Sequence, residues 1–485
     1  MLTIRCERRK YAAPGASNAA RSVYGFISDY IYSEEVYMQR IKSFPTSLAL
    51  LLSLFTMIFV AACGDTGSNA SSSSNGPVTV TFMTWEAKDT NKAIDAAMQK
   101  FMQQNPNIKV QRIESPNSDY GQKLSSLSVA KKLPDIFWAG NDTEQQYGGQ
   151  GLLYDWTEYA SKSDNKLDFS KFAPASIENW KNNGKLYGLP TLMNTYGVWY
   201  NEDLFKKAGL SLPKPGWTYD EMLHDAQVLT QKSGSKVTRY GLWNPPDDPF
   251  AVSDCAVSAG GQSFADKTVN PTKVTAGPEF IACARKYIDA VQNGYVTPPS
   301  YNSQNNPLMD NAPQAFVSGQ IPMFYNGQWF AQTFLQSKPS FKYGFAPLPV
   351  EKDAVQPYDA VGICSPSYVK NPDAVWKVMQ FLASGVWESV LPSAPVAPTA
   401  YLPSSNAYFD TLKSDGLTTV ADTVNYELNT QKKLGIRFLS SWTQKGQDII
   451  TANWENVLYG KTPVEAGTQK MVQQLNDLIQ QSSAP

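Results

Sequence analysis

The chain of 485 residues contains a single histidine, His224, and only five cysteines. One histidine excludes zinc sites built on two or three imidazoles and leaves one candidate for a histidine-dependent catalytic triad. His224 follows a helix-capping pattern, so we interpret it as an ordinary surface or half-buried side chain. The sequence also lacks the G-x-S-x-G, H-E-x-x-H and Walker A motifs. We therefore expect neither a metal ion nor a cofactor.

The sequence has no excess of charge of one sign. Lysine and arginine number 42 and aspartate and glutamate 43, which gives a formal net charge of −1. A nucleic-acid-binding protein needs a basic face that releases counterions, so this class is disfavoured. The 32 prolines, 31 glycines and 12% aromatic residues are typical of a loop-rich globular protein and exclude a coiled coil or a disordered chain.

A hydrophobic run near residue 50 is too short to cross a bilayer. Ser47 to Val60 is an uncharged, mostly apolar stretch of about 14 residues, whereas a spanning helix needs about 20. Arg40 and Lys42 precede it, as in a secretory signal. The run ends in Val60-Ala61-Ala62-Cys63, which resembles the lipobox of bacterial lipoproteins. We predict a lipoprotein signal peptide over 38–62 and lipidation of Cys63; the alternatives are a plain signal peptide or a short anchor helix.

We make separate predictions for the segments before and after this signal, residues 1–37 and 63–77. Residues 1–37 do not fit the pattern, because a signal begins with its basic segment; we expect a misassigned start, with translation beginning at Met38. Residues 63–77 are small and polar and predict a flexible tether. The protein would then be held outside the cytoplasmic membrane through a lipid.

The cysteines form no C-x-x-C motif, which disfavours a redox or zinc site. Beyond Cys6 and Cys63 there remain Cys255, Cys283 and Cys364. An oxidising compartment permits one bridge, and Cys255 and Cys283 are the better pair because each lies in a helical pattern within one region. The alternative is three buried thiols.

The first part of the globular region predicts a β-α-β-α-β unit. Apolar strand patterns begin at Val78, Ile108 and Pro134, and the segments between them repeat apolar residues at helical spacing. This order implies a parallel sheet with right-handed crossovers. Ligands of such sheets bind at the carboxyl ends of the strands, where Trp85 and Trp138 lie.

Several further segments, taken in order, resemble one family. They are Phe101-Met-Gln-Gln-Asn-Pro-Asn-Ile-Lys-Val110, Leu133-Pro-Asp-Ile-Phe-Trp138, Gly151-Leu-Leu-Tyr-Asp155, Gly184-Lys-Leu-Tyr-Gly-Leu-Pro190, Tyr200-Asn-Glu-Asp-Leu-Phe-Lys-Lys-Ala-Gly-Leu210, Trp217-Thr-Tyr-Asp-Glu-Met222, Ala315-Phe-Val-Ser-Gly-Gln-Ile-Pro-Met323, Asn326-Gly-Gln-Trp329 and Pro372-Asp-Ala-Val-Trp-Lys377. Together they resemble the extracellular solute-binding proteins, family 1 or maltose-binding-protein type, of bacterial carbohydrate ABC transporters. The resemblance covers roughly 78–390.

The resemblance implies an α/β, two-lobe periplasmic-binding-protein-like fold of type II, with a ligand cleft between lobes that are joined by a hinge. Lobe 1 would comprise 78–193 and 346–390, and lobe 2 would comprise 194–345 and 391–485. It also implies a monomeric binding protein rather than an enzyme. Its partners would be a carbohydrate ligand and the permease subunits of an ABC transporter, with the membrane reached through the lipid anchor.

A sugar site combines aromatic platforms with planar hydrogen-bonding side chains. From strand ends and from the resemblance, the candidate ligand contacts are Trp85, Glu86, Trp138, Asn141, Asp142, Asn194, Tyr196, Trp243, Asn326, Trp329, Tyr358 and Asp359. Trp329 is the strongest candidate, since it matches the stacking tryptophan of the family. Asn194 stands where maltose-binding protein has an acidic residue, which suggests a different sugar.

Two rival functions stay open at this point. A secreted glycoside hydrolase would also be exported and aromatic-rich, and would use two carboxylates about 5–10 Å apart. The same fold could instead bind a non-sugar solute such as a polyamine, metal chelate, phosphate ester or peptide. A phosphate ester is disfavoured because none of the expected cleft segments is basic.

The lipid anchor is tested at Cys63. We expect Cys63→Ser to release the protein from the membrane or leave it unprocessed, because two acyl chains give stable attachment where one does not. Fractionation followed by immunoblotting measures both effects. Membrane retention of the variant at the processed wild-type size would contradict a lipoprotein.

Overall fold

The computed structural model of the protein describes residues 76–162, 167–178, 180–243, 248–298, 312–430 and 432–483. The predicted signal peptide, Cys63, residues 1–37 and nearly all of the expected tether lie outside these ranges. Within them, no helix is both long and apolar enough to span a membrane.

The described residues form fourteen strands. These are β1 (Val78–Thr84), β2 (Ile108–Glu114), β3 (Ile136–Gly140), β4 (Lys181–Asn182), β5 (Lys185–Leu186), β6 (Gly188–Asn194), β7 (Tyr196–Asn201), β8 (Gln231–Ser233), β9 (Lys236–Arg239), β10 (Leu242–Trp243), β11 (Met323–Gly327), β12 (Tyr343–Pro347), β13 (Val355–Cys364) and β14 (Lys432–Gly435).

The same residues form seventeen α-helices. These are α1 (Lys88–Gln104), α2 (Asn117–Val129), α3 (Asn141–Gly149), α4 (Thr157–Ser161), α5 (Pro174–Glu178), α6 (Glu202–Ala208), α7 (Tyr219–Leu229), α8 (Pro249–Ser258), α9 (Pro278–Gln292), α10 (Ala312–Val317), α11 (Phe330–Ser337), α12 (Pro372–Ala383), α13 (Trp387–Val390), α14 (Leu402–Ser414), α15 (Thr418–Asn429), α16 (Thr443–Leu458) and α17 (Val464–Ser483).

The first sheet confirms the predicted β-α-β-α-β unit. Its strands run in the order β14-β13-β3-β1-β2, and β6 also pairs with β13. β1 is parallel to both β2 and β3, so the ends of β1 and β3 meet at one edge, as expected. β13 runs antiparallel to β3 and β6 and parallel to β14, which lies beyond it in the strand order.

The second sheet has the order β10-β11-β7-β12, and both of its faces are buried. Successive residues of a strand point to opposite faces. Val198 and Tyr200 belong to a core formed with the helices from α7 to α9 and with α16 and α17, whereas Trp199 between them belongs to a core continuous with the first sheet. Phe324 and Phe345 join Trp199 on that side. The second sheet therefore lies between two hydrophobic cores, one on each of its faces.

The chain passes between the two sheets three times. The first passage is Thr195, the single residue between β6 and β7; the second lies between β12 and β13; the third follows β14. Gln328 braces the first passage, since its side chain accepts a hydrogen bond from the Thr195 amide at 2.7 Å and donates one to the Met193 carbonyl at 3.2 Å. Gln328 is fully buried.

The segment 394–424, which we expect in lobe 2, packs into the core that is shared by the first sheet and one face of the second. Its buried residues Tyr408 and Leu412 belong to this core together with Trp199 and Phe345. The chain is held there by backbone pairing of Thr399 with Leu192 and of Tyr401 with Phe172. Sequence patterns identify the helices of this segment but contain no signal for these long-range pairs.

Local signals place several elements correctly. Thr218 and Glu221 form the predicted capping box of α7, each side chain bonding the backbone amide of the other residue. Cys255 in α8 and Cys283 in α9 form a disulfide, which confirms the preferred pair. Cys364 is a buried free thiol.

Candidate functional site

A half-buried arginine that the sequence analysis missed joins several of the predicted site residues. Arg437 follows β14, on the third passage between the sheets. Its Nη1 donates to the Asp142 carboxylate at 3.1 Å and its Nη2 to the Asp359 carboxylate at 3.4 Å. Asp142 follows β3 and Asp359 lies in β13, so both carboxylates come from the first sheet.

Two more predicted residues complete this group. Asn194 pairs with Asp359 across β6 and β13, and its side chain opposes the rise that burial causes in the pKa of Asp359. Tyr196 lies at the start of β7, where burial raises the pKa of its phenol and the nearby Arg437 guanidinium opposes that rise. Asp142, Asn194, Tyr196, Asp359 and Arg437 therefore form one polar group, which we call the arginine cluster.

Burial and charge act in opposite directions on the cluster. Burial raises the pKa of Asp359, and the Arg437 guanidinium partly offsets this by favouring the charged carboxylate. The two carboxylates in turn raise the pKa of Arg437, which keeps the guanidinium charged. The arrangement is a salt-bridged network in which one cation serves two anions.

Trp329 lies beside the arginine cluster. Its ring meets the Tyr196 ring edge to face, with 5.4 Å between centroids, and it is half-buried. A Cβ atom on Gly327 would lie 1.8 Å from the Trp329 ring, so only glycine allows the ring to fold back over β11. Asn326 accepts a hydrogen bond from the Gly327 amide at 2.8 Å, which supports this turn.

A cavity of about 420 Å³ opens next to the cluster, within the range of roughly 300–1,000 Å³ typical of small-molecule sites. Asp142 and Pro357 line it from the first sheet, and Tyr196 and Tyr325 from the second. Arg437 lines it between them. The cavity is therefore built from both sides of the three passages.

A second group of predicted residues lies at the ends of β1 and β3. Trp138 donates its indole N–H to the Glu86 carboxylate at 3.0 Å, and Trp85 meets the Tyr120 ring edge to face at 4.9 Å. Trp85 and Glu86 are half-buried. Burial raises the pKa of Glu86 to about 7, and the Trp138 hydrogen bond opposes that shift.

Five predicted contacts are buried in this structure. They are Trp138, Asn141, Trp243, Tyr358 and Asp359, with exposed fractions of 0%, 2%, 7%, 5% and 6%. Trp138 packs between Phe82 and Trp387, and Trp243 packs on Phe324. Consecutive residues of β3 and β13 are buried, so these strands are covered on both faces, which an aromatic residue at a strand end does not reveal in sequence.

The arginine cluster corrects the expectation that no basic residue enters the site. Arg437 was missed because its segment, Gly435-Ile436-Arg437-Phe438, lies beyond the part of the chain that the resemblance covered. An isolated arginine between apolar residues, directly after a strand, is the signal that could have identified it. No group of three or more His, Cys, Asp or Glu side chains in the described part of the chain could hold a metal ion.

The sequence matches a known protein family and several sugar-binding relatives. The family model of the bacterial extracellular solute-binding proteins matches residues 86–384. The maltodextrin-binding protein of Bacillus subtilis (strain 168) is 24% identical over 341 residues, covering 69% of this chain and 76% of that protein. The galactooligosaccharide-binding protein of the same organism is 25% identical over 332 residues, covering 67% and 73%.

The fold also matches a solved structure. The ABC substrate-binding protein of Listeria monocytogenes in complex with cycloalternan superposes with a TM-score of 0.71 at 23% identity, covering 84% of this chain and 99% of that chain. This match confirms the fold predicted from the sequence, an α/β protein of two lobes with a cleft at the hinge between them.

The arginine cluster is expected to contribute to the free energy of unfolding. We expect Arg437→Gln to lower the free energy of unfolding by about 1–3 kcal/mol, because two partly buried carboxylates lose their cation. The loss should stay below the ~3–5 kcal/mol of a fully buried pair, since 34% of the Arg437 side chain is exposed. Urea unfolding at neutral pH measures it.

The control is Arg285→Gln, which breaks an ion pair with Glu465 in which both side chains are more than half exposed and should cost only ~0–1 kcal/mol. The Arg437→Gln deficit should also shrink as pH falls, because burial raises the pKa of Asp359 and its protonation removes the charge that the variant leaves unpaired. Equal losses for the two variants, or a deficit independent of pH, would contradict the network.

Proposed function

Because the chain belongs to the bacterial extracellular solute-binding proteins, we propose that it captures a sugar or oligosaccharide outside the cytoplasmic membrane and delivers it to an ABC permease for import. The observation that carries the proposal is the cavity beside the arginine cluster, which both sheets line. The named functions of the curated relatives, a maltodextrin-binding and a galactooligosaccharide-binding protein, support a carbohydrate ligand.

The site chemistry suits a polyhydroxylated ligand. Asp142 and Tyr196 present an acceptor and a phenol to the cavity, and Arg437 lies between them. Tyr196 lines the cavity and offers a ring on which the C–H face of a sugar can pack. Trp329 does not line this cavity, but its ring meets that of Tyr196, and we propose that a ligand larger than one sugar ring extends onto it. We propose that Asp142, Tyr196, Trp329 and Arg437 bind the ligand, with Asn194 and Asp359 orienting Arg437. Glu86, Trp85 and Asn326 stay candidates at the edge of the site.

We propose that the lobes close by turning about the three passages between the sheets. A ligand that touches both lobes binds the closed state better than the open one, and this difference drives the equilibrium toward closure.

We propose a monomeric binding protein without catalytic activity, tethered to the membrane through lipid on Cys63. In this proposal lobe 1 is built on the first sheet and lobe 2 on the second.

Calorimetry against a panel of malto-, galacto- and cello-oligosaccharides tests the proposal, with small-angle scattering on each ligand that binds. We expect at least one sugar to bind with one site per chain and to reduce the radius of gyration at saturation. Release of reducing ends under the same conditions would show an enzyme and overturn the proposal. Absence of binding across the panel would do the same.

Trp329 is expected to be a binding hot spot. Truncation in Trp329→Ala removes the ring beside Tyr196, and we expect a loss of about 2–4 kcal/mol of binding energy, or roughly 30- to 1,000-fold in affinity. Trp329→Phe keeps an aromatic face and should retain most of the affinity. Calorimetry with the best sugar, paired with denaturant unfolding without it, separates binding from folding.

A half-buried ring should contribute less to folding than a core tryptophan, whose truncation costs about 3–5 kcal/mol. Unchanged affinity together with a loss of stability of that size would show that Trp329 is a core residue, and the ligand site would then have to lie elsewhere.

A further inference from the structure

Gln328 ties the first passage between the sheets to the turn that carries Trp329. It directly follows β11 and is fully buried. Its side-chain carbonyl accepts hydrogen bonds from the Thr195 amide at 2.7 Å and from the Thr195 hydroxyl at 3.4 Å. Its side-chain amide donates to the Met193 carbonyl at 3.2 Å, and its backbone amide donates to the Thr195 carbonyl at 3.2 Å. Gln328 therefore holds the chain on both sides of one residue of the passage.

These hydrogen bonds join the two sheets directly. Met193 lies in β6, which pairs with β13 in the first sheet. Gly327, the residue before Gln328, lies in β11 and pairs with Tyr196 of β7 in the second sheet. The Gln328 side chain thus reaches from the second sheet to the first at the point where the chain crosses between them. A buried amide that uses both its donor and its acceptor fixes the groups it binds, because breaking either bond leaves a buried polar group unpaired.

Three residues of the proposed site adjoin the groups that Gln328 holds. Asn194 lies between the two residues that it bonds, Tyr196 follows them, and Trp329 follows Gln328 itself. The Tyr196 and Trp329 rings meet edge to face with 5.4 Å between centroids, and Tyr196 lines the cavity. Gln328 is not among the described residues that line the cavity. Any effect that it has on a ligand must therefore act through its neighbours.

We propose that Gln328 is a positioning residue that couples the hinge to the ligand site. The inference rests on the proposed function, in which the passages between the sheets are the hinge. Gln328 keeps the first passage in the conformation that brings the Tyr196 and Trp329 rings together, and it transmits a ligand's contact with these rings to the turn of one lobe against the other. Without its hydrogen bonds the passage adopts other conformations, and the apparent affinity falls with the fraction of molecules that is competent to bind.

Gln328→Met tests the effect on binding, since methionine has a similar length but lacks the amide donor and the carbonyl acceptor. We expect the affinity for the best sugar of the calorimetric panel to fall about tenfold or more, as when the competent fraction drops to about a tenth. The matched control is Asn453→Leu, which also replaces a buried amide by an apolar side chain of similar size. Asn453 donates to Gln474 at 2.7 Å and joins α16 to α17, so its loss should leave the affinity unchanged.

Single-molecule energy transfer tests the effect on the hinge without any ligand. The two dyes are attached through unnatural amino acids at Val129 in α2 and Val228 in α7, both exposed and one in each proposed lobe. We expect Gln328→Met to broaden the distribution of distances between the dyes, because the lobes are no longer held in one arrangement. Asn453→Leu should keep the distribution of the unmodified protein. A merely structural role for Gln328 would lower the free energy of unfolding without broadening this distribution.

The outcomes separate this inference from the proposed function. If folded Gln328→Met matches Asn453→Leu in affinity and in the distance distribution, the inference is overturned, and a lower affinity with an unchanged distribution overturns the coupling to the hinge. Should Gln328→Met fail to fold, Gln328→Asn replaces it with the same expected results, because its amide is one methylene too short to reach both Thr195 and Met193. Failure of every sugar to bind the unmodified protein overturns the proposed function, and the distance distribution alone then decides the role of Gln328.

Discussion

The guanidinium of Arg437 connects the ligand cavity to the passage of the chain between the lobes. It donates hydrogen bonds to Asp142, which follows β3, and to Asp359 in β13, and it lies near the Tyr196 phenol at the start of β7. The residues that follow it, beginning with Phe438, belong to the core of the second lobe. A shift of one lobe against the other must therefore move this network, because its members lie on both sides of the passage. A partly buried ion pair adds little net stability but strongly constrains geometry.

The second sheet lies between two cores, because its strands present Trp199 to one and Val198 to the other. The core that contains Trp199 continues into the first sheet. The chain joins the two sheets at three short passages, of which the first is Thr195, held by Gln328. In the proposed function these passages are the hinge about which the lobes close. The disulfide between Cys255 and Cys283 links α8 to α9 within the second core.

Much of the fold could be predicted because its signals are local. Apolar periodicity identified β1, α1 and β3, and the capping box at Thr218 located α7. The site was harder. Asp142 is predicted from its position after the third strand, and Tyr196 and Asp359 are predicted from the family resemblance. Arg437, in contrast, bonds to Asp142 and Asp359 across 295 and 78 residues of sequence. Trp138 and Trp243 failed as exposed platforms because burial depends on which face of a strand packs inward, and that is decided by tertiary partners.

The measurement that tests the central claim most directly is a crystal structure of the protein grown with the sugar that binds it tightest. We expect density for one sugar ring in the cavity, packed against Tyr196 and within hydrogen-bonding distance of Asp142 or Arg437, with residues of both lobes in contact with the ligand. Ordered sugar bound elsewhere on the protein, with this cavity filled only by water, would contradict the placement of the site.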